Sequence, residues 1–167
     1  MQDYQAYLRC SYLLELLMET VPEREANDSL FRLLLHVLPL LGDRHNSRLA
    51  SVYFQIWHLK LAGLLPSFAA CGNCGAALSR SAGAYCQSGA PGFFCRECRK
   101  GAGRRVDGEV LELADRVVKK SLPDLAGSRV AKEAVSALHV VAEEMVEAGF
   151  ERQFDSLSLL RRESGNR

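Results

Sequence analysis

The sequence predicts a mainly α protein, a helical bundle with an inserted four-cysteine zinc-ribbon hairpin. Apolar residues recur at intervals of three and four in the first and last thirds of the chain, which is the spacing of an amphipathic helix. The first of these segments is rich in leucine and poor in glycine. Between them lie two Cys-x-x-Cys pairs and five of the six cysteines, in a stretch almost without helical periodicity. The expected division is a first helical part at residues 1–66, a ribbon insertion at 67–105, a second helical part at 106–162 and a polar tail at 163–167.

In chain order, Tyr4, Tyr7, Leu8, Leu14, Leu17 and Val21 predict a first helix that Pro22 ends. Asn27, Asp28 and Ser29 supply N-cap chemistry for a second, through Leu30, Leu33, Leu34, Val37, Leu38 and Leu41, which must kink or end near Pro39. Its nearly all-apolar surface predicts a central position. A third helix from Ser47 sets Leu49, Val52, Tyr53, Ile56, Leu59 and Gly63 on one face and stops before Pro66. Gly83–Gln87 and Gly92–Cys95 read as a hairpin around Ser88-Gly89-Ala90-Pro91. Asp107 caps a helix with Val110, Leu113, Ala114 and Val117, which Pro123 breaks. Gly127-Ser128 starts the cleanest helix, with Ala131, Ala134, Val135, Leu138, Ala142, Met145 and Val146 on one stripe. Lys132, Glu133, Glu143 and Glu147 lie off that stripe, and Gly149 ends the helix. A last short helix carries Phe154, Leu157 and Leu160.

Composition narrows the function classes. With 48% hydrophobic and 25% charged residues, the chain has the make-up of a globular protein able to bury a core. The 21 basic residues nearly balance the 20 acidic ones, so bulk attraction to nucleic acid is excluded and any such contact requires a local patch. One exists: Arg96, Arg99, Lys100, Arg104 and Arg105 stand against the single acid Glu97 and form the candidate DNA-binding set. Arg116, Lys119, Lys120, Arg129 and Lys132 are candidates to extend it. Acid gathers instead in the first segment, at Asp3, Glu15, Glu19, Glu23 and Glu25 against Arg9 and Arg24. Charge, proline or glycine interrupts every apolar run, so neither a membrane span nor a secretory leader is read, and a cytoplasmic location is expected.

Cys71 and Cys74, then Cys95 and Cys98, have the pairing and separation of a four-thiolate zinc site. Each Cys-x-x-Cys turn aims two sulfurs at one point, and a hairpin brings the turns together. Gly72 and Gly75 suit the first turn, whereas Arg99 follows the second pair where glycine would be more comfortable. Disulfides do not fit a reducing compartment, and a redox dithiol would need one motif rather than two opposed ones. Iron is compatible with four thiolates; one structural Zn2+ is the expected occupant. Four thiolates leave no open position for catalysis. None of His36, His45, His58 and His139 begins the H-x-E pattern of the zinc deaminases. Cys10 and Cys86 read as small buried hydrophobes, His58 and His139 as helix-flank or core residues. No catalytic signature is read, so the chain is not expected to be an enzyme.

The ordered string of these features resembles the RecO family of bacterial recombination mediators. An aromatic helix from Tyr4 to Tyr12 leads to Glu15-Leu16, then to the leucine-rich helix of Phe31–Leu34 and the turn Gly63-Leu64-Leu65-Pro66. Cys71 to Gly75, the second pair Cys95 and Cys98, and Phe154-Asp155-Ser156-Leu157 follow. The resemblance covers residues 4–162 and implies the helical, zinc-binding part of the family without its preceding OB-fold β-barrel. It further implies a nucleoid-associated platform for DNA repair and homologous recombination that helps load RecA recombinase on single strands. The partners implied are RecR, the acidic tail of single-stranded-DNA-binding protein, and single- or double-stranded DNA bound weakly. The alternative is a structural zinc-helical protein-interaction module without nucleic-acid binding.

Overall fold

Leu8, Tyr12, Leu13 and Leu16 form the buried side of the first helix, α1 (Gln2–Thr20), in a computed structural model that describes residues 2–22, 26–43, 45–87, 89–101 and 103–165. Glu23, Arg24 and Glu25 of the acidic first segment, Ser88 of the expected turn and the last two tail residues lie outside the described residues. The expected stripe on α1 is half corrected: Leu8 is buried and Leu17 and Val21 pack against the core, but Tyr4, Tyr7 and Leu14 lie on the solvent side. Spacing alone allowed either side of so apolar a helix; packing against α7 (Asp155–Gly165) selects the one holding Tyr12.

α2 (Asp28–Leu41) starts where Asn27 accepts the Leu30 N–H at 2.9 Å and ends two residues after Pro39. It is not the central helix. Leu30, Leu33, Val37 and Leu41 are buried, but Phe31, Leu35 and Leu38 are exposed. The central helix is α3 (Ser47–Leu61), packed between α2 and α6 (Lys132–Phe150); every residue from Leu49 to Ile56 is buried, polar Ser51 and Gln55 included, and so is His58. Those polar residues made α3 look amphipathic in sequence. His58 bonds Thr20 at 2.7 Å and stacks between Phe54 and Phe150.

The sheet has three strands in the order β2-β1-β3: β1 (Ala84–Gln87) lies between β2 (Ala90–Phe94) and β3 (Arg104–Val106), both antiparallel to it. Ala90 and Pro91 therefore belong to a strand rather than to the turn, and proline is tolerated because β2 is an edge. β3 was not anticipated, since three residues are too few to show alternation. Gly83 makes its pairing possible: its φ is +71°, and a Cβ there would stand 2.5 Å from the Val106 carbonyl oxygen.

α4 (Gly108–Lys119) follows Asp107, which stands at the expected N-cap position but makes no side-chain capping bond. Pro123 does not break structure but opens a short helix, α5 (Leu122–Ala126), where a missing N–H costs nothing; Ser121 caps it. α6 consequently begins at Lys132, not at Gly127-Ser128. It passes through Gly149 to Phe150 and is closed by Glu151 in the left-handed region at φ 53°. Gly149 is a close-approach site, since a Cβ there would meet the Leu59 side chain at 3.1 Å. Glu143, expected off the apolar stripe, is 3% exposed. His139 at 3.1 Å and Arg161 at 3.0 Å bond its carboxylate, which makes the burial tolerable. The last helix extends into the expected polar tail, as far as Gly165.

Candidate metal centre

A short antiparallel bridge between Ala70 and Ala77 closes the first cysteine turn. Within it the Cys71 N–H donates to the Ala76 carbonyl at 2.8 Å, and the Gly75 N–H donates to the Cys71 carbonyl at 2.9 Å. Gly75 has φ +72°, so a left-handed residue is needed there, whereas a side chain at Gly72 would make only ordinary contacts with the Phe94 ring and the Phe93 carbonyl. The second turn manages otherwise. The Cys98 and Arg99 N–H groups both donate to the Cys95 carbonyl, at 3.2 and 3.1 Å. Among the described residues Glu151 is the one non-glycine at positive φ, so Arg99 is unstrained, and the left-handed position falls at Gly101.

The turns bring the four sulfurs of Cys71, Cys74, Cys95 and Cys98 within 4.8 Å of one another, an arrangement that could hold a metal ion. Cys74 and Cys95 are 3.9 Å apart, close to the roughly 3.8 Å edge of a tetrahedron built on 2.3 Å zinc–sulfur bonds. The surroundings favour thiolate at one corner: backbone N–H groups of Cys74 and Cys95 aimed at Cys71 bring its thiol down to about 6. The Cys95 N–H lies 3.4 Å from that sulfur, and the Asn73 amide 3.4 Å from the Cys98 sulfur. Loss of hydration pushes Cys95 up to about 12, so a cation would have to displace its proton. Cys86 is buried in the strands, and burial also raises its thiol to about 12, as suits an unreactive core residue.

Sheet pairing divides the five basic candidates. Arg104 stands opposite Cys86 and is bonded to Glu144 of α6 at 2.9 Å. Arg105 stands opposite Tyr85 and meets Asp107 at 3.5 Å. The Arg99 guanidinium lies 4.6 Å above the Tyr85 ring, and Arg96 and Lys100 are exposed. Of the proposed extension, Arg116 donates to Ser128 and Lys119 is paired with Asp115. Lys132 instead joins Arg9 and Arg48 around a separate cavity of about 320 Å3 over Leu49, Leu125 and Val135. Sequence reasoning missed that convergence because its members come from α1, α3 and α6. It also missed the Tyr85–Arg99 pair, for which an aromatic residue in a strand was the only signal.

Fold and centre define a class: a helical domain with a four-cysteine ribbon built into its side. Comparison with known proteins shows the family. The family model described as the C-terminal part of recombination protein O matches residues 1–158, and the chain belongs to that family of DNA repair and recombination proteins. It is 27% identical over 158 residues to DNA repair protein RecO of Koribacter versatilis, covering 95% of this chain and 64% of the relative. Against DNA repair protein RecO of Dehalococcoides mccartyi the identity is 26% over 130 residues, 77% of this chain and 51% of the relative. Against that of Desulfosudis oleivorans it is 35% over 98 residues, 56% of this chain and 38% of the relative. The chain thus spans between a half and two thirds of the length of the first two. Among the described residues no helix is long and apolar enough to cross a membrane.

Proposed function

We propose that this chain is the partner-binding and DNA-contacting part of a recombination mediator that helps load RecA recombinase on single strands. Family membership across residues 1–158 is the observation that carries the reading. Cys71, Cys74, Cys95 and Cys98 hold one structural Zn2+, whose chemistry is to fix two turns in place. DNA contact falls to Arg96, Arg99 and Lys100, with Arg105 joining when it leaves Asp107; Arg104, engaged by Glu144, contributes least. RecR and the acidic tail of single-stranded-DNA-binding protein are the protein partners. The tail suits the cavity between Arg9, Arg48 and Lys132, where cations surround an apolar floor.

The decisive experiment is DNA binding across salt. Three neutralised phosphates give a slope near −0.9 × 3, so raising salt from about 50 to 200 mM should weaken binding roughly fortyfold. Reversing Arg96, Arg99 and Lys100 to Glu should abolish it, with metal content held at one zinc per chain. No binding at low salt would remove the DNA role and leave the protein-interaction module.

A further inference from the structure

The outer side of the ribbon carries a cavity of about 500 Å3, within the roughly 300–1,000 Å3 range of small-ligand sites. It is roomy because the residues around much of it are small: Ala76, Ala77, Ala82 and Gly83 border it beside Leu78. The glycine is obligatory, since any Cβ at 83 would strike the Val106 carbonyl. Tyr85 supplies an aromatic wall, and Arg96 and Arg105 line the cavity with it. Arg99 does not line the cavity but lies over the Tyr85 ring at 4.6 Å, a cation–π contact that restrains the ring. Cys95 is also a lining residue, so the metal turn forms part of the wall.

An aromatic ring beside arginines and an alanine-lined space is the equipment for stacking a nucleobase while its flanking phosphates meet the guanidinium groups. Inside a duplex each base is stacked on both faces, so the feature selects single strands. We propose that this cavity receives one unpaired nucleobase of single-stranded DNA, stacked on Tyr85 with its phosphates at Arg96 and Arg105. The inference rests on the DNA-contact reading above and makes it specific. Glu97, also on the rim, repels phosphate and confines the backbone to the arginine side.

The test uses the whole chain with its metal content verified, and three probes of equal length: an oligothymidylate, a wholly abasic strand and a blunt duplex. The protein should prefer the thymidylate over the abasic strand by about tenfold, the value of one stacked base. Tyr85→Ala should erase that preference and Tyr85→Phe keep it, with duplex affinity unchanged in both. Equal binding of thymidylate and abasic strand by the unaltered protein, or a preference that survives Tyr85→Ala, overturns the inference while leaving salt-dependent DNA contact intact. Loss of all DNA binding would instead strike the parent reading. Because Tyr85→Ala could loosen the ribbon, the unaltered protein is also irradiated with a strand carrying 5-iodouracil. Crosslinking at Tyr85 is expected; crosslinking only elsewhere overturns the proposal.

Discussion

In the strand half of the ribbon, Ala84, Cys86, Phe93 and Val106 join the same hydrophobic core as the helices. In the turn half, residues 72–77 are all exposed and Cys71 alone is buried among the four candidate ligands. Burial of apolar surface holds the first half in place; the second has almost none to bury and offers instead four sulfurs that could hold a metal ion. The ribbon is therefore two structures with different sources of stability. Phe93 packs edge-on to Phe68 at 5.5 Å, and β2 lies against α6, so the strands belong to the bundle in energy although they interrupt it in sequence.

The largest effect should come from removing a ligand. Cys71→Ser should abolish metal binding and forfeit ligation energy on the order of 10–16 kcal/mol, all of it from the turns. Hydrogen exchange should accelerate through residues 71–80 and 95–101 while the β1 amides stay protected and the circular dichroism of the helices persists. Cooperative loss of the helical signal would break the distinction between the halves.

Phe93→Ala tests the opposite half and should lower global stability by about 3–5 kcal/mol in denaturant titration, with the metal retained. A variant as stable as the parent would make the strands an appendage after all.

His58 probes the body without touching the ribbon. Burial holds its imidazole at about 4 against an ordinary 6.5. Between those values the unfolded chain takes up a proton that the native chain refuses, so stability is complete above pH 6.5 and falls as the pH drops toward 4, by about 3 kcal/mol. Denaturation of the metal-free Cys71→Ser protein isolates this slope from metal release, and His58→Phe should flatten it.

The smallest effect concerns one helix. The Glu15 carboxylate on α1 accepts the Asp155 and Ser156 N–H groups at 2.8 and 2.9 Å, and the Ser156 hydroxyl as well, capping α7 from another element. Although partial burial alone would raise it, these bonds hold the carboxyl below its usual range. Glu15→Ala should cost about 1 kcal/mol and speed exchange in α7 alone. Faster exchange in the ribbon would show a coupling that the packing does not provide.

Most helices and the cysteine cluster were legible in the sequence because their signals are local. Proline and Asn27 mark ends within one turn, and the cysteine spacing fixes which sulfurs can share a point. The side of a helix that is buried was less legible. Leucine runs all round α2, and only packing leaves Phe31 and Leu38 in solvent while α3 takes the centre with Gln55 and His58 enclosed. Glu143 read as a surface acid because its partners include Arg161, eighteen residues away on another helix.

The sequence by itself determined that four thiols form one cluster, that helices flank it and that basic residues follow it. Tertiary structure alone decided how those basic residues are shared out. β3 pairs with β1 so that alternation turns Arg104 toward Glu144 and sets Arg105 beside Tyr85, and a one-residue change of register would exchange them. Composition along a chain cannot carry that information, because the face a strand residue occupies is set by a partner strand that lies elsewhere in the sequence.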